Sequence, residues 1–185
     1  GILMKKLKFL KTKINNLYLV KPNISKDKRG DFFRYFCSDE FKKIHFNNKI
    51  LQTNICFNNK KATLRGLHFQ KKPHCETKII TCVSGEIYDV AVDLRKNSKT
   101  YMKYFGIRLS QKNKYIIIIP KGFAHGYLTL TKKSTIIYLV DSKYNPKSET
   151  GINYDNPKLK IKWPIKPKHL SKKDRNLKYE NNKTI

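Results

Sequence analysis

The stretch Val83-Ser84-Gly85-Glu86-Ile87-Tyr88-Asp89-Val90-Ala91-Val92-Asp93-Leu94-Arg95 decides the class of fold. Ile87, Asp89, Ala91 and Asp93 alternate with Tyr88, Val90, Val92 and Leu94, a period of two that puts each set on one face of a β-strand. Lys78 to Ser84 is a second strand-like run, and Gly85 joins the two. Working outward, Lys49 to Phe57, Thr63 to Gln70, Tyr101 to Leu109, Tyr115 to Ile119, Tyr127 to Leu130 and Ser134 to Asp141 read as further strands. Leu17 to Val20 is apolar and leads to a turn at Lys21-Pro22-Asn23, and Arg29-Gly30-Asp31 turns again before the aromatic run Phe32 to Phe36. One short helix is expected at Asp39 to Lys43, capped by Ser38. Strands at this spacing, separated by Gly, Pro and Asn, predict an all-β sandwich or barrel with a few short helices. Asn156-Pro157 and Trp163-Pro164 open an irregular C-terminal segment. With no repeat and no linker, residues 1–185 are expected to form one domain.

Composition narrows the function classes. Of 185 residues, 12% are aromatic, including 11 Tyr and 10 Phe, which excludes a disordered chain. No apolar run approaches the ~20 residues of a membrane span. The basic start has apolar patches too short and broken for a signal peptide, and Gly1 to Leu3 ahead of Met4 read as a cloning remnant. Cys37, Cys56, Cys75 and Cys82 form no CxxC pair and read as reduced thiols of a cytoplasmic protein. Lys and Arg total 41 against 13 Asp and Glu, a net charge of +28. Such a field attracts polyanions. The lysines are nevertheless scattered along the whole chain, and most aromatics fall inside strand-like runs, where packing explains them. Neither a nucleic acid nor a membrane is therefore expected as a partner, and the basic tail from Lys166 to Lys173 is the best nucleic-acid candidate.

Three stretches place ionisable groups among apolar ones. Arg65 and His68 stand in Leu64-Arg65-Gly66-Leu67-His68-Phe69-Gln70, Lys78 precedes Ile79-Ile80, and His125 lies in Pro120-Lys121-Gly122-Phe123-Ala124-His125-Gly126-Tyr127. A core imidazole with satisfied hydrogen bonds, an exposed edge lysine and a turn histidine are the purely structural alternatives. Proline and two glycines are expected to make a sharp turn that aims His125 back across a strand end.

The Pro-x-Gly-x-x-His stretch resembles the second motif of the cupins, which are double-stranded β-helix, jelly-roll barrels with the site inside. Metal-binding cupins usually carry Glu where this chain has Lys78, and an ammonium repels a divalent cation. No metal and no cofactor is therefore expected, although His74, Glu76 and His125 remain as a partial ligand set. The match narrows further. Arg65 to Gln70, Pro120 to Tyr127, Val83 to Arg95, Arg29-Gly30-Asp31-Phe32-Phe33, Tyr154-Asp155-Asn156-Pro157 with Ile161-Lys162-Trp163-Pro164, and Leu170-Ser171-Lys172-Lys173-Asp174 together resemble the dTDP-4-dehydrorhamnose 3,5-epimerase family from about Leu19 to Asp174.

That resemblance implies a metal-free enzyme inverting carbons next to the ketone of a nucleotide-linked 4-keto-6-deoxy sugar. The chemistry needs a base, an acid on the opposite face of the ring and a positive group at the ketone oxygen. The family match assigns these to His68, oriented by Asp174, to Tyr138 and to Lys78, with His125 contacting the substrate beside them. It also assigns Arg29 and Arg65 to the diphosphate and sugar, Gln52 and Asn54 to a Gln-x-Asn element, Tyr144 to stacking on the base, and Glu149 and Lys173 to further ligand contacts. Arg34 stands where the family usually has Glu, a charge reversal in the nucleotide-contacting segment, and it is counted with the substrate-binding residues on that ground. Family members are dimers in which N-terminal strands pair with the partner's sheet, so a homodimer is expected. Inversion at both C3 and C5 is the expected outcome. Two alternatives stand beside it: a C3-only or C5-only epimerase on a related dTDP-, CDP- or GDP-sugar, and a non-catalytic basic β-barrel binding nucleic acid or anionic sugars.

Overall fold

The computed structural model describes residues 6–179, so Gly1 to Leu3 and Met4 lie outside the described residues. Thirteen strands dominate the described residues. In the first sheet, β1 (Leu7–Lys11), β2 (Tyr18–Pro22), β10 (Ile116–Ile119), β7 (Lys78–Ser84), β12 (Ser134–Val140) and β5 (Gln52–Asn58) lie side by side in that order. The second sheet runs β13 (Glu149–Gly151), β6 (Leu64–Gln70), β11 (Phe123–Thr129), β8 (Glu86–Asp93) and β9 (Tyr104–Ser110). A separate hairpin, β3 (Ile24–Asp27) with β4 (Gly30–Phe33), carries the Arg29 turn. All strand pairings are antiparallel, and the two sheets form the cupin-like jelly roll.

The core has three layers, which explains why some strands show no alternation. Ile117 and Ile119 point between the sheets with Ile80, Ile87, Ala91 and Leu109. Their neighbours Ile116 and Ile118 point outward, where Phe41 of helix α1 (Ser38–Phe41) and Phe36 cover them. On the other outer face, Val90, Val92, Leu67 and Phe69 are covered by Ile152, Leu159 and Trp163 of the C-terminal segment. A strand buried on both faces is apolar throughout, as Ile116–Ile119 is.

Several boundaries differ from the expectation. Strand β9 starts at Tyr104, not Tyr101, because the preceding loop winds round the buried Asp93 carboxylate. That carboxylate accepts from Arg95 Nε at 2.9 Å, Ser98 Oγ at 2.5 Å and Thr100 Oγ1 at 2.7 Å. Ser38 does not cap α1: Cys37 holds the cap position with no side-chain bond, and the chain passes at once into a 3-10 turn over Lys42–Ile44. Glu40 anchors this single turn instead, its Oε1 accepting from Lys6 N and Leu7 N. His125 is not on a turn. Pro120-Lys121-Gly122 completes the reversal, and His125 is the third residue of β11, paired with Ala91 on one side and His68 on the other. Strands β1, β3 and β13 carry no sequence signal of their own; in β1 only Leu7 is fully buried.

One irregularity positions the site. Residues three apart on a regular strand face opposite sides, so Arg65 and His68 should point apart. The β6–β11 register shifts, with His68 opposite His125 but Arg65 opposite Tyr127, so β6 holds one extra residue. This bulge turns both side chains to the inner face. Gly66 makes it feasible, with φ at +119° and its α-carbon against Gly126; a Cβ there would lie 2.7 Å from Gly126 Cα and from His125 O. Gly66→Ala is expected to lower the unfolding free energy by roughly 2–3 kcal/mol. Urea unfolding followed by Trp163 fluorescence measures it, and a change below ~0.5 kcal/mol would mean that the bulge relaxes freely.

Candidate active site

The second sheet contributes Arg65, His68, His125 and Tyr127 to a cavity of about 620 Å³, and the first sheet contributes Cys56, Lys78 and Tyr138. The C-terminal segment closes it with Ser171, Lys173 and Asp174. A smaller space of about 320 Å³ adjoins it at His68, Lys78 and Tyr138, lined further by Gln52, Asn54, Gln70, Glu76, Tyr144 and Glu149. His68 and Tyr138 therefore share one cavity while standing on facing sheets.

Asp174 reaches His68 across most of the chain. His169 O accepts from Leu64 N at 2.9 Å, which lays the C-terminal segment along the start of β6. Ser171 Oγ then caps helix α2 (Lys172–Arg175) by accepting from Asp174 N at 3.1 Å. The Asp174 carboxylate accepts from His68 Nε2 at 2.6 Å and from Gly66 N at 3.1 Å. Burial pushes its pKa up, but the His68 bond, the imidazole charge, the Gly66 N–H and Lys173 outweigh it and hold the group below the ordinary value. An ionised carboxylate only accepts, so His68 Nε2 is the donor in this bond, and Nδ1 is the ring nitrogen left outside it.

A second pair lies beside the first. His125 Nε2 donates to Asp89 Oδ2 at 2.8 Å, and both groups are buried. Burial lowers the His125 pKa against the pull of Asp89, which favours the neutral ring. Asp89 was absent from the residues expected in the site. Its signal was nonetheless present: an acid on the same strand face as Ile87 and Ala91 needs a buried partner. Lys78 Nζ, largely buried, lies 3.5 Å from Glu76 Oε1. Burial raises the Tyr138 pKa, with smaller contributions from Glu76, Cys56 and Glu149 outweighing the Asn54 bond.

The outer end of the groove is a polar chain. Gln52 Nε2 donates to Asn54 Oδ1 at 3.1 Å, and Gln52 Oε1 accepts from Tyr144 N at 3.2 Å. Glu149 Oε2 accepts from Tyr144 OH at 2.8 Å and from Lys173 Nζ at 2.7 Å. These two bonds offset the effect of burial and depress the Glu149 pKa. The Tyr144 ring is exposed. Thus His68, Asp174, Tyr138, Lys78, His125, Arg65, Gln52, Asn54, Tyr144, Glu149 and Lys173 are gathered at one groove. Two residues are not. Arg29 sits at the tip of its hairpin, 90% exposed and bound to Asp27. Arg34 pairs with Glu40 at 2.9 Å, so the reversed charge there is absorbed by the acid that anchors α1. The partial ligand set is dispersed as well. His74 bonds Ser148 Oγ at 2.7 Å and Asn145 Nδ2 at 3.2 Å, Glu76 faces Lys78, and His125 turns to Asp89. Among the described residues no group of three ligating side chains clusters.

Comparison with known proteins follows the same lines. The family model described as dTDP-4-dehydrorhamnose 3,5-epimerase matches residues 11–181. A dTDP-4-dehydrorhamnose 3,5-epimerase of Methanothermobacter thermautotrophicus is 38% identical over 179 residues, covering 95% of each chain. The crystal structure of the enzyme of that name from Elizabethkingia anophelis superposes with a TM-score of 0.90 at 36% identity, over 94% of this chain and 96% of that one. The dTDP-6-deoxy-D-glucose-3,5-epimerase of Legionella pneumophila, solved in complex with dTDP-4-keto-L-rhamnose, gives 0.89 at 35% identity over 93% and 92%.

The Asp174 shift has a measurable consequence. A carboxylate with a depressed folded pKa adds stability that is fully present above its unfolded pKa and is lost as pH falls through the folded value. Stability of the unaltered chain is therefore expected to fall more steeply than that of Asp174→Asn on acidification below the ordinary aspartate value of 3.8. Denaturant titrations from about pH 7 to about pH 2 measure both, and parallel curves would remove the His68–Asp174 pair as a source of stability.

Proposed function

The chain belongs to the dTDP-4-dehydrorhamnose 3,5-epimerase family, and from that premise we propose how its groove inverts C3 and C5 of a dTDP-4-keto-6-deoxyglucose-type sugar. The C4 ketone acidifies the C–H bonds on either side of it. His68 Nδ1 takes one of these protons, and the bond's electron pair forms a C=C bond while the ketone becomes an enolate. Lys78, its side chain largely buried, stands as the cation for the developing oxyanion. Tyr138 returns a proton to the same carbon from the other face, which inverts it. Exchange with water then resets both groups, so solvent hydrogen enters the product. The observation that carries this reading is that the imidazole and the phenol line one cavity from opposing sheets.

The remaining groups hold the ligand. His125, neutral and fixed by Asp89, accepts a sugar hydroxyl at its free Nδ1. Arg65 takes the diphosphate, since a guanidinium fork matches phosphate oxygens. Tyr144 offers an exposed ring to the base, with Gln52, Asn54, Glu149 and Lys173 around it. Arg29 enters this scheme only from a second copy. We place the protein in a homodimer, in support of which β5 is an edge strand with Ile55 and Phe57 exposed, and the Arg29 hairpin exposes Phe32. No helix among the described residues is long and apolar enough to cross a membrane, and the four cysteines are free, which supports a cytoplasmic setting.

Solvent deuterium should enter a dTDP-4-keto-6-deoxyglucose sample at both C3 and C5. Entry at a single carbon would make this a mono-epimerase, and no entry with salt-sensitive RNA binding would make it a binding protein. His68→Ala is expected to abolish turnover while dTDP binding stays near normal. Retention of more than about a tenth of the rate, a barrier change under ~1.4 kcal/mol, would mean another base acts. Tyr138→Phe should still permit exchange but block inversion, as NMR of the product would reveal; equal loss of both steps contradicts the acid role.

A further inference from the structure

A second tyrosine, Tyr127, lines the same cavity, and the mechanism leaves it without a task. Its hydroxyl ends a chain of hydrogen bonds whose polarity follows from one fact: a guanidinium has donors and no acceptor. Arg65 Nε donates to Asn58 Oδ1 at 2.9 Å. That fixes the Asn58 amide, so its Nδ2 is the group that donates to Tyr127 OH at 3.3 Å. The phenol, having accepted there, sends its own proton to Cys56 Sγ at 3.1 Å; its approach to the already occupied Asn58 Oδ1 is longer, at 3.4 Å. Asn58 and Tyr127 are buried, and burial, followed by the Cys56 bond, pushes the Tyr127 pKa up. In this arrangement the phenol proton is directed at Cys56 Sγ. Among the described residues, meanwhile, Arg65 Nη1 and Nη2 meet no protein acceptor.

We propose that Asn58 and Tyr127 are positioning residues that hold the Arg65 guanidinium by its Nε edge, so that its Nη edge faces a diphosphate in the cavity. This rests on the reading of the groove as a nucleotide-sugar site and assigns its second tyrosine to binding, not to proton return. A guanidinium on a flexible stem loses conformational freedom when it binds. Fixing it beforehand moves that cost out of the binding step. The extra residue in β6 brings Arg65 to the inner face, and Asn58, opposite Ser134 at the end of β5, is placed to receive its Nε.

A double-mutant cycle tests the brace. Calorimetry gives the dTDP dissociation constant for Asn58→Ala, Arg65→Ala and the double variant. Asn58→Ala is expected to weaken dTDP about tenfold, and the double variant to bind no more weakly than Arg65→Ala alone, because a residue acting through Arg65 has nothing left to position. Tyr127→Phe, which removes only the hydroxyl, should give a smaller loss in the same direction and serves if Asn58→Ala does not fold. In both single variants KM should rise far more than kcat falls. Full additivity in the cycle, or a Tyr127→Phe enzyme with the lost inversion expected of Tyr138→Phe, overturns the proposal. Unaltered dTDP binding in Arg65→Ala would instead overturn the diphosphate role of Arg65, which separates the two failures.

Discussion

Everything at the centre of this molecule depends on two backbones approaching without side chains between them. Gly66 of β6 meets Gly126 of β11 at the point where β6 holds its extra residue. Without that bulge, strand periodicity would send Arg65 and His68, three residues apart, to opposite faces, and only one could reach the cavity. The same approach presents the Gly66 N–H to Asp174, so the bulge that aims the imidazole also helps anchor its carboxylate partner. A single local irregularity thus couples the position of Arg65, the proposed phosphate contact, to that of His68, the proposed base. The sequence Arg65-Gly66-Leu67-His68 reads as one unit because its middle members have no freedom to be anything bulkier.

The charge of +28 takes on a definite meaning once the acids are placed. Of the 13 acids, Glu40, Asp89, Asp93, Asp141 and Asp174 are buried and Glu76, Glu149 and the Arg108 partner Glu86 partly so. Each faces a specific donor: Glu40 the β1 backbone and Arg34, Asp93 a loop, Asp141 Thr77 N, Glu86 the Arg108 guanidinium, and the others the histidines, lysines and tyrosine of the groove. The fold draws much of its negative charge inward and leaves the lysines outside. A strongly basic balance is then largely a property of the exterior, while the groove combines cations with carboxylates that hold them in place. That arrangement suits a small ligand carrying two phosphates better than a long polyanion, which would track an exposed, unpaired stripe.

The two-layered β fold was legible in the period-two alternation of Ile87 to Leu94 and in the turn residues between strands. The helix cap at Ser38 and the start of β9 were not, because both are decided by acids bonding to chain far from the pattern: Glu40 to β1, and Asp93 to a loop behind it. Most of the groove was legible through family resemblance, since motifs preserve residue types whose positions meet in space. Arg29 and Arg34 stand outside this groove within one copy of the chain, each paired with an acid of its own, Asp27 and Glu40. Asp89 and Tyr127 escaped for another reason. Each sits inside a strand where an apolar neighbour on either side makes burial the obvious account, and burial is correct; what it omits is the partner that burial demands.

The two histidines show how one sheet can give identical residue types different duties. They face each other across β6 and β11, each with its Nε2 on an aspartate. His68 keeps 27% of its side chain exposed, whereas His125 keeps 9%. A base that must take up a proton and then lose it to water needs that opening, and it needs a partner that gains from the charge. Asp174 provides both oxygens to donors and is stabilised as an anion. Asp89 by contrast leaves Oδ1 without a protein donor, and burial disfavours charging His125. Charging His125 would also set a second cation close to Lys78 and His68, whose fields already lower its pKa. The sites differ by access and by the satisfaction of one carboxylate, and that difference supports the proposed division of duties, with one imidazole as proton carrier and the other as fixed acceptor.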